Sequence, residues 1–285
     1  MIRKISILSI FVACFMIFMT SHMYAKGEAR STAQPVPGVS APIPETITAD
    51  AWGIFDPKTG DVVVGDNIQT THQIASVTKL FTAAVVMVSE KKDEEFEIIL
   101  SDVYTEGRAG KLIAGTKTTS YGLLFPLLLE SSNDAGTAIS RYLGTTFQTS
   151  INGIIQTLSL SKTNISEATG LSSKNVSTVS DLAVFYAYLK STHPHILDIT
   201  ELYTYIDERT GYGNSNPART LSSFTGGKQG YTDEAGRTFV GTFTLPGTST
   251  ELGIVLLKST DLLSDIEDII AYAKSRQTTS DILLP

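Results

Sequence analysis

Residues 74–83, IASVTKLFTA, place a lysine three positions after a serine, where an apolar segment begins. On a helix, side chains three residues apart are neighbours, with β-carbons ~5–6 Å apart. An amine at that distance from Ser76 can accept the hydroxyl proton if burial and a nearby positive charge lower the pKa of Lys79. The pair also fits a helix-capping serine followed by a lysine that extends into solvent. Other clusters in the sequence are needed to distinguish a nucleophilic serine from a capping serine.

A second polar cluster lies in residues 127–136, LLLESSNDAG, between an apolar segment and another helical stretch. Ser131 and Asn133 are separated by one residue, and Asp134 follows near the start of the second helix. Taken alone, these residues are typical of a connection between two helices, because serine, asparagine and aspartate cap helix ends.

A third cluster, residues 224–240, FTGGKQGYTDEAGRTFV, has a lysine inside a predicted strand. Lys228 follows Gly226 and Gly227, and Gly230 comes two residues later. Glycines in a strand allow another backbone or a ligand to approach closely. A hairpin strand with a β-bulge would explain the same pattern.

The predicted elements place strands at both ends of the folded region and helices between them. Strands are predicted at 51–55, 61–64, 223–231, 237–244 and 251–258. Helical spacing is found at 77–89, 121–143, 177–190 and 261–275, with Ser177 or Ser180 as a candidate N-cap of the third helix. We expect an α/β (α+β) domain in which an antiparallel sheet is built from both chain ends and a helical subdomain is inserted. A cleft between the sheet and the helices would bring groups that are distant in sequence together.

The composition is that of a globular protein. Of the 285 residues 42% are hydrophobic and 18% are charged, and the formal net charge is −7. No basic patch stands out, so nucleic acid is not an expected partner. Cys14 is the only cysteine, so neither a disulfide nor a thiolate metal site is expected.

The N-terminus has the pattern of an export signal. Arg3 and Lys4 precede an apolar run over residues 5–19, which is short for a membrane-spanning helix. We expect residues 1–25 to be a signal peptide or an uncleaved membrane anchor. The anchor is an alternative because Met23 is large for the position two residues before a cleavage site at Ala25. By either route the chain would be exported to the periplasmic or extracytoplasmic side, with any membrane attachment through residues 5–19.

Two further segments flank the predicted folded region. Residues 26–47 are polar and contain four prolines, which predicts an extended linker. After the last predicted helix only residues 276–285 follow, which we interpret as a short tail.

Together the three clusters resemble the motifs of the serine-type D-alanyl-D-alanine carboxypeptidases, the low-molecular-mass penicillin-binding proteins of the β-lactamase/transpeptidase-like superfamily. IASVTKLFTA is similar to the first motif of that family, LESSNDA to the second and GGKQGYTDEAGRTFV to the third. Residues 167–183, EATGLSSKNVSTVSDLA, resemble the segment between the second and third motifs. The resemblance covers about residues 48–275 and implies that they form a catalytic domain.

The resemblance also implies a role for each motif residue. Ser76 would attack the carbonyl between the two D-alanines of a peptidoglycan stem peptide and form an acyl-enzyme. Lys79 would be the general base, and Ser131 would pass a proton to the nitrogen of the departing D-alanine. No metal or cofactor is implied, and β-lactam antibiotics are expected as covalent inhibitors.

The same resemblance assigns the substrate-binding residues. Asn133 would hold Lys79 and the substrate amide, while Lys228 would keep the site positive, which lowers the pKa of Lys79, and attract the terminal carboxylate. The backbone N–H groups of Ser76 and Tyr231 would form the oxyanion hole. Gln229 and Gly230 complete the set.

One residue departs from the family pattern. Gln229 stands where the family has a hydroxyl residue that helps to bind the substrate carboxylate, and a glutamine amide can still donate hydrogen bonds. A catalytically impaired peptidoglycan-binding homologue is therefore an alternative. Carboxypeptidase and endopeptidase action both stay open, because the cleft walls decide whether a cross-linked peptide fits.

A serine β-lactamase is a further alternative, because it shares the motifs and the fold. It needs an additional base to activate the deacylating water, and Glu167 lies in roughly the right region. The segment EATGL lacks the asparagine that accompanies that glutamate in β-lactamases.

The sequence does not favour a Ser-His-Asp hydrolase, because it contains no Gly-x-Ser-x-Gly elbow. His193 and His195 flank Pro194 at a predicted helix end, which favours a solvated turn over a metal site.

Overall fold

The computed structural model describes residues 44–107, 111–208 and 210–277. Its strands are β1 (Ala51–Phe55), β2 (Val62–Asp66), β3 (His72–Gln73), β4 (Glu95–Glu97), β5 (Lys117–Thr119), β6 (Val176–Ser177), β7 (Thr204–Ile206), β8 (Gly211–Gly213), β9 (Phe224–Thr232), β10 (Gly236–Thr244) and β11 (Glu251–Ser259). Its α-helices are α1 (Thr78–Val88), α2 (Leu100–Val103), α3 (Asn133–Leu143), α4 (Thr145–Thr157), α5 (Val179–Thr192), α6 (Pro194–Glu201) and α7 (Leu262–Gln277). Two short 3₁₀ helices (Ala75–Val77 and Pro217–Thr220) and a π-helix (Pro126–Glu130) complete the elements.

The main sheet joins the two ends of the described chain. Its five strands lie in the order β2-β1-β11-β10-β9 and all pair antiparallel. The first strand pairs with the last, with Ile54 opposite Ile254. The helices from α1 to α6 are inserted between β2 and β9. This confirms the predicted α+β fold, a sheet from both chain ends with a helical insertion.

Strand β1, AWGIF, is apolar on both faces because the helical insertion covers one face of the sheet and α7 covers the other. Ala51 and Phe55 are fully buried in the core shared with the helical insertion, whereas Trp52 and Ile54 pack in the core beneath α7. Strand residues alternate between faces, so a strand covered on both sides must be apolar throughout. Strand β9 lies at the edge of the sheet, so one side of its backbone has no neighbouring strand among the described residues.

A small two-stranded pairing lies close to Ser76. Strand β3 pairs with β6, with His72 opposite Ser177. The backbone N–H of Ile74 also donates to the carbonyl of Asn175 at 3.1 Å. The segment that precedes α5 is thereby held beside the first motif, although the two are a hundred residues apart in sequence.

The predicted boundaries of most elements differ from the structure by one or two residues. The helical spacing over 121–143 divides at the predicted connection, where a π-helix ends at Ser131 with a left-handed φ of 61°. One predicted cap is wrong for a physical reason. Neither Ser177 nor Ser180 caps α5, since the N-cap is Thr178, whose side chain accepts from the N–H of Asp181. Thr178 directly precedes the first helical residue, as a cap must.

The predicted signal peptide or anchor (1–25), most of the linker and most of the tail lie outside the described residues. Among the residues that the structure does describe, no helix has the length and apolar character needed to cross a membrane.

Candidate active site

Ser76 and Lys79 lie together at the start of α1. The 3₁₀ turn at residues 75–77 leads directly into the helix, and the Nζ of Lys79 is 2.9 Å from the Oγ of Ser76. The lysine side chain is fully buried. A buried amine cannot be the solvent-reaching lysine of the capping alternative, so the geometry favours a nucleophile and its activator.

Two further acceptors hold the Lys79 amine. Its Nζ donates to the Oδ1 of Asn133 at 2.7 Å and to the backbone carbonyl of Thr169 at 2.6 Å. The Nδ2 of Asn133 donates to the carbonyl of Glu106 at 3.0 Å, which determines which end of the amide faces the lysine. Hydrogen bonds of this kind satisfy an amine that burial has removed from water.

The second motif turns sharply so that two of its side chains face the two lysines. The π-helix ends at Ser131 in the left-handed conformation, and Ser132 then caps α3 by accepting from the N–H of Ala135 at 3.0 Å. Asn133 is the first residue of α3 and faces Lys79, whereas Ser131 faces Lys228. The capping prediction was therefore correct for this connection, and the capped turn also carries the predicted site residues.

The third motif supplies a second buried lysine. The Nζ of Lys228 on β9 donates to the Oγ of Ser131 at 3.0 Å and to the carbonyl of Gln229 at 2.8 Å. Only 1% of the residue is exposed. The site thus contains two serine–lysine contacts, one from the first motif and one that joins the second motif to the third.

Gly230 allows the edge strand to lie directly against the first motif. A β-carbon at this position would be 2.5 Å from the backbone nitrogen of Ser76 and 2.7 Å from the Oγ1 of Thr238. The predicted close backbone approach beside Lys228 is therefore confirmed, and no side chain could be accommodated there.

The turn before the nucleophile is strained and is supported from two sides. Ala75 has a φ of 44°, a conformation that non-glycine residues adopt at a cost. Thr238 donates its hydroxyl to the carbonyl of Ile74 at 2.9 Å. On the other side Gly170 packs so closely that a β-carbon there would overlap the carbonyl of Ala75. These contacts orient the backbone of Ser76.

Gln229 and Tyr231 flank Gly230 on β9. Gln229 is half-buried, and Tyr231 is 56% exposed with its hydroxyl donating to Asp233 at 2.9 Å. This hydrogen bond to a carboxylate raises the pKa of Tyr231. The assigned oxyanion role of the Tyr231 N–H and the carboxylate-binding role of Gln229 stay predictions.

The carboxylate of Glu167 is directed into its own loop. One oxygen accepts from the N–H and the hydroxyl of Thr169, both at 2.6 Å, and the other accepts from the N–H of Gly170 at 2.6 Å. A carboxylate whose two oxygens are occupied in this way is poorly placed to activate a water. The candidate base of the β-lactamase alternative is thus bound within its own loop.

Glu130, the residue before Ser131, forms an ion pair that the motif comparison missed. Its Oε1 lies 2.5 Å from the Nζ of Lys111, which also donates to the carbonyl of Gly211 at 2.8 Å. The pKa of Tyr212 is raised to about 12, mainly by burial and secondly by the nearby Asp207 carboxylate. The phenol below Lys111 therefore stays neutral. This pair joins the end of the π-helix to β8.

The described residues contain no group of three or more His, Cys, Asp or Glu side chains arranged to hold a metal ion. The site itself presents two lysines, two hydroxyls, an amide and backbone dipoles.

Comparison with known proteins agrees with this geometry. A family model described as D-alanyl-D-alanine carboxypeptidase (Peptidase_S11) matches residues 37–258. A D-alanyl-D-alanine endopeptidase of Pseudomonas aeruginosa is 29% identical over 226 residues, which cover 73% of this chain and 71% of the relative.

Solved structures give the same result. The crystal structure of a D-alanyl-D-alanine carboxypeptidase from Mycobacterium tuberculosis H37Rv is 25% identical, with a TM-score of 0.75 over 85% of this chain and 96% of that one. Penicillin-binding protein D2 from Listeria monocytogenes in its ampicillin-bound form is 25% identical, with a TM-score of 0.69 over 79% of this chain and 96% of that one. A family match over most of the chain, together with a buried Ser76–Lys79 pair, leaves neither the β-lactamase nor the binding-only alternative favoured. The chain belongs to the D-alanyl-D-alanine carboxypeptidase family of serine peptidases.

Proposed function

We propose that this protein removes the terminal D-alanine from peptidoglycan stem peptides through an acyl-enzyme on Ser76. The observation that carries the proposal is the fully buried Lys79 amine 2.9 Å from the Ser76 hydroxyl. Burial disfavours the charged form of an amine, so a lysine in this position can act as a base at neutral pH.

The partners of Lys79 determine where its lone pair points. A neutral amine has two N–H bonds and one lone pair, and both the Oδ1 of Asn133 and the carbonyl of Thr169 can only accept. In the neutral form of Lys79 these two acceptors would take the two N–H bonds, and the lone pair would face the Oγ of Ser76 at 2.9 Å. The hydroxyl proton would pass to the lysine as Oγ attacks the carbonyl carbon of the penultimate D-alanine.

The second serine–lysine contact would serve the leaving group. Lys228 donates to the oxygen of Ser131, so the hydroxyl proton of Ser131 is free to be donated elsewhere. The nitrogen of the departing D-alanine would accept that proton as its bond to the acyl carbon breaks. The proton that Lys79 took from Ser76 would replace it on Ser131, so that Ser131 acts as a relay and Lys79 returns to its neutral form. Water would then hydrolyse the ester on Ser76 and release the shortened peptide.

Strand β9 would bind the substrate along its free edge. The N–H groups of Ser76 and Tyr231 would stabilise the oxyanion, and the contact between Gly230 and Ser76 supports this because it brings the two backbones together. The ammonium group of Lys228 and the amide of Gln229 would attract the terminal carboxylate.

The substrate also supports the proposed localisation. Peptidoglycan is assembled outside the cytoplasmic membrane, so we propose that residues 1–25 export the chain as a signal peptide or an anchor. Residues 26–47 would act as a linker, and residues 48–275 as the catalytic domain. The ampicillin-bound form of the Listeria protein supports β-lactams as ligands of this chain, and a covalent bond to Ser76 would make them inhibitors.

Mass spectrometry of a stem pentapeptide that ends in D-Ala–D-Ala tests the proposal. Loss of one alanine with the wild-type protein, and no loss with Ser76→Ala, is the expected result. No loss with either protein would contradict the proposal.

Endopeptidase action is a second candidate, because the Pseudomonas relative is named for it. A cross-linked muropeptide dimer incubated in the same way tests this candidate. Conversion of the dimer to monomers, dependent on Ser76, would establish it.

A further inference from the structure

The loop at residues 167–171 directs two successive carbonyl groups at one side of α1. The carbonyl of Thr169 accepts from the Nζ of Lys79 at 2.6 Å, and the carbonyl of Ala168 accepts from the Oγ1 of Thr82 at 2.7 Å. Lys79 and Thr82 are three residues apart and therefore lie on the same side of the helix. The loop supplies an acceptor to the reacting lysine without contributing a side chain to it.

A single carboxylate organises this loop. In addition to its bonds with Thr169 and Gly170, Glu167 accepts through Oε1 from the Nδ2 of Asn175 at 2.9 Å and from the N–H of Ser172 at 3.3 Å. Three of its donors are backbone N–H groups of residues 169, 170 and 172. When these N–H groups converge on one anion inside the turn, the carbonyls of residues 168 and 169 are left facing outward, toward α1.

Asn175 connects the same turn to the helix. It is 1% exposed, and its Nδ2 also lies 3.1 Å from the Oγ1 of Thr78. Its Oδ1 accepts from both the N–H and the hydroxyl of Ser166 at 2.8 Å. Since Thr78 directly precedes Lys79, the loop and the start of α1 form one hydrogen-bonded unit.

We propose that Glu167 is a positioning residue for Lys79. It holds the Thr169 carbonyl at the place where this carbonyl takes one N–H of the lysine and leaves the lone pair facing Ser76. Glu167 does not touch the reacting atoms, and its carboxylate does not activate water. This inference rests on the proposed function, in which Lys79 is the base that activates Ser76.

Both side-chain oxygens of residue 167 must accept hydrogen bonds from N–H donors of the loop. Glutamine has the same shape but presents an NH₂ group to at least one N–H donor, so Glu167→Gln turns a favourable contact into an unfavourable one. Misplacing a reacting group by about 1 Å can reduce a rate about 100-fold. We therefore expect Glu167→Gln to slow acylation of Ser76 by roughly 10- to 100-fold.

The test is the rate of benzylpenicillin acylation of the full-length protein, followed by intact mass over a range of drug concentrations. The concentration dependence separates the saturating acylation constant from the dissociation constant of the non-covalent complex. We expect Glu167→Gln to lower the first and to leave the second within about threefold, because the loop carbonyl acts on Lys79 and not on the ligand. If the loop only stabilised the fold, Glu167→Gln would not lower the acylation constant while leaving the dissociation constant unchanged.

Thr82→Val is the matched control. It removes the hydrogen bond to the Ala168 carbonyl of the same loop and keeps the acceptor for Lys79, so acylation should stay within about threefold of wild type. Glu167→Asp restores a carboxylate on a shorter side chain, and it should acylate faster than Glu167→Gln. If the glutamine variant does not fold, the comparison of Glu167→Asp with Thr82→Val replaces it, and the aspartate variant should be the slower of the two.

Three outcomes would overturn the inference. The first is a folded Glu167→Gln protein with an acylation constant within threefold of wild type. The second is a Thr82→Val protein as slow as the Glu167 variant, and the third is a weakened non-covalent complex with unchanged acylation. Failure of the proposed function would look different, because the wild-type protein would then form no adduct on Ser76.

Discussion

Gly230 packs against the backbone nitrogen of Ser76, so closely that a β-carbon on residue 230 would lie 2.5 Å from it. This contact joins the edge strand of the sheet to the first turn of α1. It places the backbone of β9, which would bind the substrate, directly beside the nucleophile. The separation between sheet and helix at this point is thus set by the absence of a side chain.

The first prediction follows from this contact. Gly230→Ala must push β9 away from Ser76 or from Thr238, because both neighbouring atoms belong to well-held groups. We expect benzylpenicillin acylation to fall at least about 100-fold, and overpacking to lower the free energy of unfolding by about 1–3 kcal/mol.

The control for this prediction is Gly153→Ala on α4. A β-carbon there meets nothing within 4 Å, and alanine in a helix is favoured over glycine by about 0.5–1 kcal/mol. The control should acylate normally and melt slightly higher. A Gly230→Ala protein that retained a third of the wild-type acylation rate would show that the contact does not matter.

The second prediction concerns the base. Lys79→Met removes the amine but keeps an unbranched side chain in a fully buried position, so the fold should be retained. Loss of a general base lowers rates by about 10²–10⁴, and acylation measured by mass should fall within that range. Lys174→Met, at an exposed position in the segment before α5, should behave like wild type. An unchanged acylation rate in Lys79→Met would exclude the lysine as the base.

The third prediction concerns the departure in the third motif. Gln229→Thr introduces the hydroxyl that the family resemblance implies, and a hydrogen bond to a charged group contributes about 1.5–3 kcal/mol. We expect kcat/KM for a peptide ending in D-Ala–D-Ala to rise about tenfold.

Gln229→Val is the control for that prediction, because valine has the shape of threonine without the hydroxyl. Equal rates for the threonine and valine variants would mean that any gain comes from the smaller side chain. A slower threonine variant would show that the Gln229 amide itself binds the substrate.

The fourth prediction concerns the stability of the helical insertion. Asp102 is fully buried and accepts from Arg141 at 2.7 and 2.8 Å, and this contact raises the pKa of Arg141. Arg141→Met leaves the carboxylate without its cation. Breaking a fully buried pair costs about 3–5 kcal/mol, and because the arginine is partly exposed we expect the free energy of unfolding to fall by a smaller amount, about 2–3 kcal/mol.

An exposed ion pair provides the comparison. Lys258 lies 2.7 Å from Asp50, with about half of each side chain exposed, so Lys258→Met should change the free energy of unfolding by less than about 1 kcal/mol. Chemical denaturation of both variants measures the difference. Equal effects of the two substitutions would contradict this account.

The side chains of the site could be predicted from the sequence, because their chemistry is local. Ser76 and Lys79 are three residues apart on one helix, and a lysine beside glycines indicated a close backbone approach near Lys228. The family resemblance implied the contact of Asn133 with Lys79, which the structure contains, but not the contact of Ser131 with Lys228. The predicted order of strands and helices was sufficient to place the sheet at the junction of both chain ends.

The backbone contributions could not be predicted in this way. The Thr169 carbonyl that accepts from Lys79 has no signature in the sequence, because every residue carries a carbonyl group. The π-helix before Ser131 has the sequence PLLLE, which is typical of an ordinary helix, and nothing in that sequence marks the left-handed conformation at its end. Glu167 was noticed only as a candidate base, since its loop conformation becomes visible only in three dimensions.

The central claim is that Ser76 is a working nucleophile activated by Lys79. The most direct test is the intact mass of the full-length protein over time with excess benzylpenicillin, with Ser76→Ala in parallel. We predict a lasting adduct of one drug molecule on the wild-type protein and none on Ser76→Ala. An adduct that also forms on Ser76→Ala, or no adduct on the wild-type protein at any time, would contradict the account.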